Sequence, residues 1–155
     1  IDETYIGLND LHVEMRVDFM FELLSSGLVR LLAQRFAQVG LPFGFGGVAP
    51  AGQGPVAPEC ILGEHARLGS SRVILSRGFR AACESNRTES MRRAIQREVT
   101  SLRRIVDQWS KADDALLEAN TDELRRQVHR ARLSTRRLTK DPTPGPFGAS
   151  SSQSR

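Results

Sequence analysis

From Asp18 to Val39 apolar side chains return every three or four residues: Phe19, Leu23, Leu28, Leu31, Leu32 and Phe36. That spacing lines one face of a helix. Gly40 supplies its stop, and Ser25-Ser26-Gly27 predicts a break into two shorter helices. Shorter apolar runs flank this segment. Thr4-Tyr5-Ile6-Gly7-Leu8 reads as a strand running into a turn, with Asn9-Asp10 at its end. Leu41-Pro42-Phe43-Gly44-Phe45 reads as a second strand that ends in a glycine turn at Gly46-Gly47. After a Gly- and Pro-rich loop from Pro50 to Pro58, a helix starting at Pro58 or Glu59 runs to Leu68, capped by Gly69. Ser71-Arg72-Val73-Ile74-Leu75-Ser76 is a third strand.

A helix-length segment separates each strand from the next, and no tight hairpin turn joins them. Strand, helix, strand, helix, strand predicts an α/β fold with a parallel sheet and right-handed crossovers. Ligands of such folds bind beyond the carboxyl ends of the strands. Gly7–His12, Gly46–Ala49 and Ser76–Phe79 therefore become the places to look for chemistry.

After Asn86 the pattern changes. Asn86 with Glu89 resembles a capping box. Met91, Ile95, Val99, Leu102, Val106 and Trp109 then step by three or four, predicting one long amphipathic helix to about Ala119. Asn120 with Glu123 signals a second start, and Leu124, Val128 and Leu133 carry a helix to about Leu138. From Pro142 on, Pro, Gly and Ser dominate, predicting a disordered tail. The expected organisation is 1–111, a helical extension over 112–140, and a tail over 141–155.

Composition narrows the classes. The 155 residues are 39% hydrophobic and 26% charged, a globular balance. No apolar run reaches the roughly 18 residues of a membrane span, and the acidic, polar start does not read as a signal peptide. Cys60 and Cys83 lie far apart with no CxxC, which excludes a disulfide scaffold and a cysteine-rich zinc site and makes a reduced cytoplasmic setting the expectation. The chain begins with Ile1, so a processed chain or the end of a longer reading frame is expected. The net charge of +4 splits into −1 over residues 1–80 and +5 over 81–155. Arginine supplies nearly all the cationic charge, with Lys111 and Lys140 the only lysines. No aromatic residues interleave with Arg92, Arg93, Arg97, Arg103 and Arg104, so a solvated helix face is expected there and no nucleic-acid partner.

Among individual residues, Asp10 stands out. A carboxylate at the mouth of an α/β fold suits a hard divalent cation, Mg²⁺ or Mn²⁺; it would equally cap the next helix. His12 is a candidate acid/base group or a hydrogen-bonder at a helix terminus. Asn9 could bind substrate or close an Asx turn. The Gly44-Phe45-Gly46-Gly47 run lets backbone amides at Gly46 and Gly47 approach a carboxylate or enolate. Arg77 could hold a substrate carboxylate bidentately or pair with an acid on a neighbouring loop. Glu64-His65 reads as a solvated helix face, and the Met91–Trp109 stripe as core packing.

Ile6-Gly7-Leu8-Asn9-Asp10-Leu11 resembles the Gly-x-x-Asp-Leu turn of the HpcH/HpaI aldolase and citrate lyase family of phosphoenolpyruvate/pyruvate-type TIM barrels. The likeness continues through Phe19–Leu24, Pro42–Ala49 and Gly63–Arg77, roughly the first half of the chain. It implies a partial (β/α)8 barrel, comprising the last three βα units, followed by long C-terminal helices. It also implies carbon–carbon lyase chemistry on a pyruvate- or oxaloacetate-like keto acid, with Mg²⁺ or Mn²⁺ held by Asp10 and stabilising an enolate. Gly7 and Asn9 would shape the same turn. The family's second metal carboxylate, substrate arginine and general base have no counterpart here. The implied state is an oligomer or a chain lacking the N-terminal half of the barrel, inactive alone. The rival reading is a non-enzymatic interaction module working through the long C-terminal helices.

Overall fold

The computed structural model describes residues 1–50, 52–79 and 88–140. Three short strands, β1 (Thr4–Ile6), β2 (Phe43–Val48) and β3 (Arg72–Leu75), form a parallel sheet in the order β1-β2-β3. Ile6 pairs with Phe45, and Phe45 with Val73; a register shift between Gly46 and Val48 then brings Val48 opposite Leu75. Helices α1 (Leu8–Glu14), α2 (Glu22–Ser25) and α3 (Leu28–Gln38) connect β1 to β2. Helix α4 (Pro58–Leu68) connects β2 to β3, and the long α5 (Thr88–Trp109) and α6 (Asp114–Lys140) follow.

The predicted break after α2 is real. Gly27 sits at φ +85°, a left-handed conformation that stops one helix and lets the next begin. The second strand runs further than its pattern suggested, so Gly46 and Gly47 lie inside β2 rather than in a turn. The first strand is shorter, and Asn9 and Asp10 belong to α1. The expected helix start at Asn120 is absent. The chain breaks at Ser110–Asp113 instead, where the Asp113 carboxylate accepts the Leu116 N–H at 2.8 Å and opens α6. Asn120 is buried within that helix, its amide donating to the Cys60 carbonyl at 3.0 Å. Cys83, Asn86 and the tail over 141–155 lie outside the described residues.

One core runs from the sheet into the long helices. Ile6, Phe43, Phe45 and Val48 from the strands join Phe21, Leu23, Val29, Ile61 and Leu62 from the connections, then Leu102, Leu124 and Val128 from α5 and α6. Burying a side chain such as Leu124 stabilises the fold by roughly 1.5–3 kcal/mol. Ile95, Val99, Leu102, Ile105 and Trp109 are turned at least partly inward, and the Trp109 indole N–H donates to the Glu59 carbonyl at 3.0 Å. Of the described stripe, Leu102 and Trp109 join the core, with Ile105 beside them, and dock α5 on α4, whereas Val106 is exposed.

The expected partial TIM barrel is contradicted. A barrel strand is covered by a helix outside and by layers of side chains inside. Here the described residues give a small three-stranded open sheet beside a helical majority, with no barrel unit. All four residues of β3 and Tyr5 of β1 are exposed. What the apolar spacing conveyed was the alternation of strands and helices. It carried no information on closure, which depends on partners beyond the local pattern.

Candidate ligand site at the carboxyl edge of the sheet

The parallel order carries every sequence-predicted site residue toward one edge of the sheet. Gly7, Asn9 and Asp10 follow the carboxyl end of β1. Gly46 and Gly47 form the last part of β2 before Val48. Ser76 and Arg77 follow β3, where a helical turn begins. Open α/β sheets bind ligands at this edge.

At β1 the chain turns tightly into α1. The Gly7 carbonyl accepts the Asp10 and Leu11 N–H groups at 3.1 and 2.9 Å. Asp10 lies in the first turn of α1, where a carboxylate is favoured by the helix dipole, but no side chain caps this helix. Its carboxylate leans back over Gly7, with Oδ2 3.1 Å from where a Gly7 Cβ would stand. Asn9 and Asp10 are exposed. His12, half-buried, keeps Nδ1 out of solvent without a hydrogen-bond partner.

Gly47 has a structural reason of its own. Its φ is +100°, and a Cβ there would stand 2.6 Å from the Phe21 ring. The glycine lets Phe21 seal the core beneath the edge. At β3, Arg77 is exposed and has no ion-pair partner among the described residues. The loop after β2 folds against this end, placing Pro50 Cδ and Ser76 Oγ each 3.3 Å from a Gly78 Cβ position. The same loop, from Gly52 to Ala57, and the start of α4 meet Gln127 and Arg130 of α6 around a recess of about 300 Å³.

The resemblance implies Mg²⁺ or Mn²⁺ at Asp10. These ions take several oxygen ligands, and usable sites combine carboxylates. Among the described residues no group of three or more His, Cys, Asp or Glu side chains comes together, at Asp10 or elsewhere. Asp10 alone does not fit a divalent ion.

The pattern of α4 misled in a different way. Glu64 and His65, expected on a solvated face, are both buried. Arg67 donates to both Glu64 oxygens, with Nη2–Oε2 at 2.6 Å, and the Thr121 hydroxyl donates to Oε1 at 2.5 Å. A buried carboxylate is tolerable because these donors replace its water. His65 stacks on Phe45, ring centroids 3.5 Å apart. Its Nδ1 lies 2.7 Å from Ser70 Oγ, which also contacts the carbonyls of Phe43 and Arg72. His65 Nδ1 and Ser70 Oγ thus share a hydrogen bond, while Nε2 is buried without a partner. Burial holds this imidazole down to a pKa of about 3, so it is neutral. The missed signal was the row Ile61, Glu64-His65, Leu68, whose three- and four-residue steps put the polar pair on the inward stripe.

The chain matches no family model, no curated protein and no solved structure. No described helix is long and apolar enough to cross a membrane.

Proposed function

We propose that this chain supplies the carboxyl-edge binding residues of a carbon–carbon lyase acting on a pyruvate- or oxaloacetate-like acid, and that it is not catalytic alone. The observation that carries this reading is topological. The turn motif behind the lyase resemblance, Gly7 through Asp10, shares one edge of a parallel sheet with Gly46, Gly47 and Arg77. In this reading Arg77 takes the substrate carboxylate as a bidentate guanidinium partner, and Asn9 donates its amide to the keto oxygen. Asp10 sets the polarity of the same mouth. A divalent cation would need further oxygen ligands beside Asp10, since the described residues gather no group of three His, Cys, Asp or Glu side chains there. The buried Cys60, a free thiol, is at home in the reducing cytoplasm.

The rival reading is a non-enzymatic interaction module working through the long C-terminal helices, on which Val106, Leu116 and Leu133 are exposed apolar positions.

Oxalate, an unreactive mimic of the pyruvate enolate, is the direct probe. Backbone amide resonances of the full chain should shift at Gly7, Asn9, Gly47 and Arg77, with a dissociation constant of about 1 mM, the range of a few charge-assisted contacts. Arg77→Ala should weaken binding about tenfold, the worth of one charged hydrogen-bond pair. No shifts along this edge at about 20 mM oxalate, far above that range, would overturn the reading.

A further inference from the structure

We infer that β3 pairs with β3 of a second copy of this chain, antiparallel about a two-fold axis through Ile74, making one continuous six-stranded sheet. All-parallel sheets normally have both faces covered and strands that read as apolar runs. β3 has that sequence, Val73-Ile74-Leu75, yet these residues are 37%, 44% and 38% exposed, and its outer edge has no strand partner among the described residues. Apart from Arg72, the edge carries none of the usual gatekeepers, having no lysine or proline between Ser71 and Arg77.

The opposite edge differs. β1 is three residues long and is preceded by Asp2 and Glu3, so self-pairing there would set like charges together. The charge of β3 is already neutralised, because Arg72 Nε donates to Glu3 Oε2 at 2.9 Å across the sheet. With the axis through Ile74, that residue faces its own symmetry mate. Val73 faces the mate of Leu75, and Arg72 the mate of Ser76. Every cross-strand pair is then apolar with apolar or charged with hydroxyl, and facing residues share a side of the sheet. The contact is isologous and closes on itself. Four residues a side make a small interface, so a weak dimer is expected.

Sedimentation equilibrium of the full chain from about 1 μM to 1 mM spans the range in which such an interface is populated. The mass should rise from one to two copies across it. Ile74→Lys, placing a charge on an already exposed edge position, should raise the dissociation constant about tenfold or more with an unchanged circular dichroism spectrum. If that variant fails to fold, Leu75→Thr, which keeps strand propensity, should weaken association in the same direction. Val106→Lys, at an exposed apolar position of α5, should leave it unchanged. A chain monomeric throughout, association indifferent to Ile74→Lys and Leu75→Thr, or association equally lost in Val106→Lys would overturn the pairing.

Discussion

The two sides of this molecule are built to different standards. Around α4, helices α5 and α6 bury even charged and polar groups and satisfy nearly all of them: Glu64 by Arg67 and Thr121, Asn120 by the Cys60 carbonyl, Ala57 N–H by Gln127. On the sheet, β3 is exposed along its whole length, and Tyr5 stands in solvent. The buried seam specifies a single arrangement, because each misplacement strands a polar group at a cost of about 1–3 kcal/mol. The exposed β3 flank specifies little by itself. The difference teaches that stability is concentrated where β2 meets the helices, while the β3 flank of the same sheet contributes little.

The largest test of that contrast lies at the seam. Arg67→Ala should leave Glu64 as an uncompensated buried charge and cost about 3–5 kcal/mol in urea unfolding. Leu124→Ala should cost about 2–5 kcal/mol through lost burial and a cavity. If either costs no more than Ile74→Ala on the sheet, for which less than about 1 kcal/mol is expected, the contrast is broken. Next comes Gly47→Ala, which forces an alanine to φ +100° against the Phe21 ring. A loss of about 1–3 kcal/mol is expected in thermal melts. The sheet's carboxyl edge would then prove to be tied to the core more tightly than its exposed flank.

A gentler probe is pH. The folded-state pKa of His65 is depressed, so the unfolded chain binds the proton more readily. The neutral ring's contribution is complete above pH about 6.5, the ordinary histidine value, and falls as pH drops toward 3. Its loss has a slope of up to about 1.4 kcal/mol per pH unit in that window. His65→Phe keeps a ring on Phe45 and should remove that slope; an unchanged acid limb would assign it to carboxylates instead. Thr121→Val, which removes a donor from the buried Glu64 carboxylate but leaves it Arg67, should cost about 1.5–3 kcal/mol, read as a shift in melting temperature.

Local order was legible where local rules decide it. The break at Ser25–Gly27 and the bounds of α4, opened by Pro58 and closed by Gly69, follow from side-chain spacing and backbone permissiveness. The candidate site was legible only as places along the chain; it took the parallel register to carry Gly7–Asp10, Gly46-Gly47 and Arg77 to one edge. Other features lay beyond local rules. Asn120 looked like a cap because its type and spacing suit one, but Cys60, sixty positions away, takes its amide. Glu64 looked solvent-facing because carboxylates usually are, and only Arg67 and Thr121 together make its burial affordable. The partial barrel rested on the likeness of the Gly7–Asp10 turn and its flanking segments, and a local likeness says nothing of the strands a barrel needs to find one another.

The lone tryptophan and lone tyrosine divide along the same line. Trp109 hangs its indole on the Glu59 carbonyl at the foot of the helical layer, while Tyr5 lies on the first strand of the sheet. The molecule thus carries one native fluorophore in each region. Emission from Trp109 reports whether α5 is docked on α4, and the tyrosine signal reports the sheet. Unfolding followed at the two wavelengths would show directly whether helices and strands melt as one body or come apart in sequence, with no label attached.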